Sequence, residues 1–218
     1  MFKRFRYMSK RKSKLPMVNL YSERILFIHI PKNAGTSICH SFNIENPTHI
    51  TSKEIIKCYG SNHFNKHFTF AIIRNPLDRF LSLYNYSRMD RSYYHNNLIP
   101  EKSKFGKHLD YEILKNSTIS EAINLLLEGK LMHDHAWNHW MPQHKWVCND
   151  KGEILVDRVY RLGELEYLIK DLKNIGINFN SFPKLNTSQT SKFKIHLSAL
   201  DEEKLIDFYY QDFQIFNF

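Results

Sequence analysis

The sequence predicts an α/β fold, a central parallel sheet flanked by helices, with a strand–loop–helix near its start that can meet an anion. Two apolar runs, Ile25–Ile30 (broken only by His29) and Phe68–Ile73, read as strands buried on both faces, since strands with one wet face alternate instead. Each run passes through a short turn into residues with helical spacing, the order expected of α/β chains. A length of 218 residues with 42% hydrophobic and 24% charged side chains suits one core and excludes bulk disorder. Residues 23–218 are therefore read as a single domain and residues 1–22 as a basic tail expected to be flexible.

Taken in order, Ile25–Ile30 is the first strand, 31–35 a turn, and Thr36–Phe42 a helix opening directly behind it. Ser52–Tyr59 reads as a helix and Phe68–Ile73 as the second buried strand. Pro76 suits a first helical turn, and Phe80, Leu81 and Tyr84 share a face of the helix it starts. Residues 87–118 are polar and weakly periodic, an excursion from the core. Ile119–Leu127 is a helix. Lys145–Cys148, a turn over 149–152 and a strand over Ile154–Arg161 predict a hairpin-like return. Leu165–Ile175 is an amphipathic helix, Phe182–Lys194 a Ser/Thr/Asn-rich loop, and Leu200–Phe213 a closing helix.

The net charge of +9 would fit a polyanion binder were it spread over the chain, but seven basic residues fall within the first 14 positions, where there is no acid. The rest carries about +2. No nucleic-acid partner is expected; the tail could touch anionic lipid at a membrane surface. Its basic residues are not followed by the apolar stretch of a signal peptide, and no apolar run approaches the roughly 20 residues that cross a bilayer, so a cytoplasmic protein, peripheral at the inner membrane face at most, is expected. Cys39, Cys58 and Cys148 are odd in number and widely spaced. They fit neither a disulfide framework nor a CxxC site, and are expected to pack as small hydrophobes in a reducing compartment.

Two segments carry chemistry. In His29-Ile30-Pro31-Lys32-Asn33-Ala34-Gly35-Thr36-Ser37 a strand feeds a helix through a tight turn, leaving unpaired N–H groups at the helix start. Gly35 would let the backbone approach an oxyanion, Thr36 and Ser37 offer hydroxyls, and Lys32 a cation. This is not a Walker A loop, because Lys32 precedes Gly35 and the first glycine is missing. In the second segment, Arg74-Asn75-Pro76-Leu77-Asp78-Arg79-Phe80-Leu81-Ser82-Leu83-Tyr84, Arg74 follows a strand's carboxyl end, the edge where open α/β sheets bind ligands. Ser82, two turns along the helix, could share a phosphate with it.

Together PKxAGTS and RNPxxRxxSxY resemble the sulfotransferase superfamily, in which the first segment is the P-loop-like 5′-phosphosulfate loop and the second the 3′-phosphate site for the donor 3′-phosphoadenosine 5′-phosphosulfate (PAPS). Further segments are similar to those of carbohydrate sulfotransferases, including the heparan and chondroitin enzymes and bacterial relatives: His49-Ile50-Thr51, Pro142-Gln143 with Trp146 after it, Val156-Asp157 running into Arg161, Leu185-Asn186-Thr187-Ser188, and Tyr209 to Phe213. The resemblance covers about residues 24–218, and the acceptor segment 87–141 matches no pattern.

The resemblance implies sulfuryl transfer from PAPS to a carbohydrate hydroxyl by in-line displacement, with the desulfated bisphosphate (PAP) as product and no metal required. Lys32 would stabilise the bridging oxygen; Lys32, Asn33, Ala34, Gly35, Thr36 and Ser37 would cradle the 5′ end, Arg74 and Ser82 the 3′-phosphate, and Asn186, Thr187 and Ser188 would close over the nucleotide. His49 is the first choice of general base by motif position, with His63 and His67 as competitors. The run His133-Asp134-His135, with His139 and His144 behind it, permits a metal reading, but Trp137, Trp140 and Trp146 interleave with it and fit an aromatic wall for sugar faces better. The alternatives are a non-catalytic binder of polyanions or membrane surfaces and a P-loop-like ATP-dependent kinase.

Overall fold

The computed structural model describes residues 19–21, 24–44, 48–90, 107–131, 139–178, 181–182 and 196–218. Its sheet has the order β1 (Asn19–Tyr21), β2 (Ile25–Ile28), β3 (Phe68–Ile73), β4 (Arg158–Arg161). β2, β3 and β4 run parallel, with Ile25 opposite Phe68 and Phe70 opposite Arg158, and β1 is an antiparallel edge. Parallel pairing needs helical crossovers, and these cover both faces. On one face Leu26, Ile28, Ala71 and Ile73 meet Ile55, Phe64 and Trp146; on the other Ile25, Phe27, Phe70 and Ile72 meet Ile38, Phe42, Leu168 and Leu172. Successive residues of β2 and β3 thus enter opposite cores, which is why neither run alternates with polar residues.

The helices are α1 (Gly35–Ser41), α2 (Ser52–Tyr59), α3 (Ser61–Phe64), α4 (Pro76–Ser87), α5 (Tyr111–Leu114), α6 (Ile119–Leu127), α7 (His144–Val147), α8 (Leu165–Asn174), α9 (Ala199–Phe208) and α10 (Tyr210–Phe216). Their starts follow local chemistry. Thr51 and Glu54 form a reciprocal capping box on α2, as do Thr118 and Glu121 on α6, each worth about 1 kcal/mol. The Asn75 carboxamide oxygen accepts from Leu77 N at 3.0 Å, with Pro76 in the first turn of α4. A third core joins Phe80, Leu83 and Tyr84 of α4 to Ala122, Ile123 and Leu126 of α6, with Trp140, Leu205 and Tyr209. Among the described residues no helix is long and apolar enough to cross a membrane.

The structure corrects three expectations. The hairpin-like return over 145–161 is reduced to one antiparallel bridge, Cys148 to Ile154, with Leu155 N donating to Val147 O at 2.8 Å: residues 144–147 are helical, and β4 joins β3 in parallel. Asp157 holds that junction, its carboxylate accepting from Thr69 N and Oγ1 at 2.7 and 2.8 Å. The closing helix is two helices, broken at Tyr209, whose hydroxyl donates to Trp140 O at 3.0 Å. β1 lies within residues 1–22, the stretch read as a tail; three residues are too few for periodicity to reveal.

Candidate active site

The carboxyl ends of β2 and β3 lie side by side, and the two segments singled out above leave from them. After β2 the chain crosses Pro31 to Ala34 with two non-glycine residues in the left-handed region, Lys32 at φ 69° and Ala34 at φ 57°. Such residues cost about 1–3 kcal/mol each unless their surroundings hold them. Asn33 supplies one hold: fully buried, its amide donates to Ile72 O at 2.8 Å and to Gln143 Oε1 at 2.7 Å. Its side chain is therefore a strut under the loop. Arg79 supplies another, donating from Nε to Pro31 O at 3.1 Å.

Gly35 also has a packing reason to be glycine. A Cβ there would fall 1.6 Å from His29 Nε2, so the missing side chain makes room for a buried imidazole. Thr36 is half-buried and Ser37 buried at the start of α1.

Arg74 is fixed by a single glutamine. Gln143 Oε1 accepts from Arg74 N at 3.0 Å and Gln143 Nε2 donates to Arg74 O at 2.8 Å, while the same Oε1 takes Asn33. Asp212 of α10 holds Gln143 in turn. Its carboxylate accepts from Gln143 N at 2.6 Å, His144 N at 2.8 Å and His144 Nδ1 at 2.7 Å. The Arg74 guanidinium stays part-exposed, 4.0 Å from Asp78, and Ser82 is buried on α4. Lys32 Nζ rests 3.8 Å over the Tyr86 ring, and no carboxylate among the described residues pairs with it. Burial, then the Arg74 charge, push Lys32 down to about 8.

Beside the loop stands His49, whose ring lies 4.1 Å from that of His29. His49 Nδ1 is 2.8 Å from His29 O; a carbonyl can only accept, so Nδ1 carries the proton and Nε2 keeps its lone pair. Burial pushes His49 down to about 4, against the hydrogen bond to His29 and with a smaller contribution from Arg79. His63 and His67 lie elsewhere: His67 immediately precedes β3, whose six residues separate it from Arg74 by about 20 Å.

The fold gathers here Arg79 and His139, whose partners sequence reasoning did not assign, and His108, which it did not single out. Arg79, 1% exposed, donates to the carbonyls of Pro31, Met141 and His139, the last at 2.6 Å. His139 and His108 are bonded Nδ1 to Nε2 at 3.0 Å. Among the described residues the expected aromatic wall has no tryptophan: Trp140 packs on Phe80 and Trp146 lies among the β2–β3 core residues, both essentially without exposure. Nor do His139 and His144 converge, since His144 goes to Asp212. Trp137, His133, Asp134, His135, Asn186, Thr187 and Ser188 lie outside the described residues.

A strained but buttressed loop, an arginine whose backbone is clamped at the adjacent strand end and an oriented imidazole are the features that the carboxyl edge of the sheet presents. The sequence matches the model of the sulfotransferase family over residues 21–218, and the chain belongs to that family. A search of curated proteins found no match.

Proposed function

We propose that the protein is a PAPS-dependent O-sulfotransferase acting on a carbohydrate hydroxyl. The observation that carries this reading is the pairing of Lys32 with Arg74: two half-buried cations at neighbouring strand ends, close enough that Arg74 lowers the Lys32 pKa, with the exposed Asp78 carboxylate 4.0 Å from Arg74. That arrangement is satisfied by a ligand with separated anionic groups, as a 3′,5′-bisphosphorylated nucleoside has. The carbohydrate acceptor is supported by the later motifs, since Gln143 and Asp212 belong to segments similar to those of carbohydrate sulfotransferases and brace the donor loop together.

The donor supplies the sulfuryl group, whose sulfur bonds the acceptor oxygen as its bond to the phosphate oxygen breaks, the electron pair leaving on the phosphate. Lys32 would neutralise that oxygen, and Arg74 with Ser82 would hold the 3′-phosphate. His49 Nε2 would take the acceptor proton, its tautomer set by His29 O.

A thermal-shift titration with PAP against ATP–Mg²⁺ tests the donor site, followed by transfer of labelled sulfate from PAPS to an oligosaccharide panel. Selective stabilisation by PAP is expected. In His49→Ala turnover falls at least 100-fold with PAP affinity retained, and in Arg74→Ala PAP affinity falls about tenfold or more. Stabilisation by ATP alone, or by neither nucleotide, overturns the reading.

A further inference from the structure

Arg79 projects from the start of α4 and is 1% exposed, so its guanidinium is closed off from any ligand in the site. It nevertheless reaches the loop that follows β2. Nε donates to Pro31 O at 3.1 Å, while Nη1 donates to Met141 O at 3.0 Å and Nη2 to His139 O at 2.6 Å. Carbonyls from two distant stretches of chain thus converge on one side chain. The planar fork of arginine meets them in fixed directions, which the rotating ammonium of a lysine does not.

The bond to Pro31 has the most direct consequence. The Pro31 carbonyl and the Lys32 N–H belong to one planar peptide unit. Holding that plane fixes the point from which Lys32 turns into the left-handed region at φ 69°. On the other side the Asn33 side chain, bonded to Ile72 O and Gln143 Oε1, grips the next residue. Lys32 is therefore braced before and behind, and the direction in which its side chain leaves the backbone is set by those two holds. A buried cation is an expensive way to hold a loop for stability alone. Burial pushes the Arg79 guanidinium below its ordinary value, with Tyr209 and Asp212 working the other way. No carboxylate among the described residues forms an ion pair with it, and Asp212 gives its oxygens to Gln143 and His144.

We propose that Arg79 is a positioning residue of the transfer reaction, a clamp that locks the Pro31–Lys32 peptide to residues 139 and 141 and so presents Lys32 to the leaving oxygen. The inference rests on the sulfuryl-transfer reading above. Arg79 moves no proton and touches neither donor nor acceptor; it acts through Lys32. Its loss is felt on the phosphate oxygen that gains charge as the bond to sulfur breaks, an interaction that strengthens in the transition state. It is felt less in the binding of PAP, whose 3′-phosphate falls to Arg74 and Ser82.

The test is a double-mutant cycle on the full chain, with kcat expressed per PAP-binding site so that misfolded protein does not enter. Arg79→Lys keeps the charge and loses the fork. Alone it is expected to lower kcat about tenfold or more with PAP affinity within about threefold. In a Lys32→Met background it is expected to lower the residual rate less than about twofold, because the group it positions is gone. A merely structural role would lower the rate equally in both backgrounds, and that result overturns the proposal, as does a single variant with the kcat of the wild type or with PAP affinity falling as far as kcat. Should Arg79→Lys fail to fold, the wild type decides by NMR. The Arg79 Nε–H, assigned through its backbone, is expected to exchange slowly with water and to shift when PAP binds, since its acceptor is in the donor loop. Rapid exchange, or a signal that PAP leaves unmoved, overturns the proposal while leaving the transfer reading intact. A wild-type chain that does not bind PAP overturns the transfer reading, and the Arg79 role with it.

Discussion

Gly35 shows how one missing side chain sets the chemistry of two others. His29 is stacked on Phe27 with centroids 5.5 Å apart and has the His49 ring 4.1 Å away, so a methyl group placed 1.6 Å from its Nε2 must displace a ring that two neighbours pack against. Overpacking of this kind costs about 1–3 kcal/mol. Gly35→Ala is therefore expected to lower the melting temperature by roughly 3–10 °C for a chain of this size. Because His29 O orients His49, turnover should fall as well. The double variant Gly35→Ala/His29→Ala removes the obstructing ring and should regain most of the lost stability but not the lost turnover. Thermal denaturation of the three proteins decides it: if Gly35→Ala melts with the wild type, or the double variant melts lower than the single, the clash is not what fixes this residue as glycine.

Among the helices, α10 reaches the proposed donor site through Gln143. Asp212 is fully buried and its two oxygens take three N–H groups, from Gln143 and His144; Gln143 then grips both Asn33 and Arg74. Asp212→Asn keeps the volume but substitutes an amide that must point its own N–H groups at one of those donors, leaving a buried group unsatisfied at a cost of about 1–3 kcal/mol. The expected outcome is a less stable protein that also binds PAP about tenfold more weakly, measured by calorimetry. Unchanged PAP affinity would mean that Gln143 keeps its place without Asp212. The same network explains what the sequence could and could not tell. The buried strands and the helix Ile119–Leu127 were readable because apolar pattern and caps act locally, and the nearness of Lys32 to Arg74 because both follow the carboxyl ends of buried strands. Gln143, Arg79 and His139 stand in segments that the sequence singled out, but their partners, like His108, are reached through bonds spanning from 31 to 110 positions, which no local pattern records. The tryptophans misled for a related reason: interleaving with histidine looks like a binding face, while Trp140 and Trp146 are claimed by two different cores.

The whole molecule holds a cation where it is poorly solvated, and this ties fold stability and donor binding to pH with opposite signs. Lys32 is pushed from its ordinary value of 10.5 down to about 8 by burial and Arg74. Below about pH 8 the folded chain bears the full cost of a charged Lys32; between about 8 and 10.5 the unfolded chain binds the additional proton, so this residue makes the free protein more stable as pH rises. A bisphosphate restores the favoured charge. Below pH 8 it meets an ammonium already formed, whereas above it binding must take up a proton, and affinity falls by up to tenfold per pH unit. The melting temperature of the free wild type relative to Lys32→Met is therefore expected to rise from pH 8 to 10, while the stabilisation by PAP shrinks over the same interval. Lys32→Met should bind PAP more weakly and with little pH dependence there. Titrating both proteins with PAP at pH 7, 8, 9 and 10 checks the two trends together. A wild-type affinity that stays level across that range would remove Lys32 from the donor site, since no anion could then be drawing on its charge.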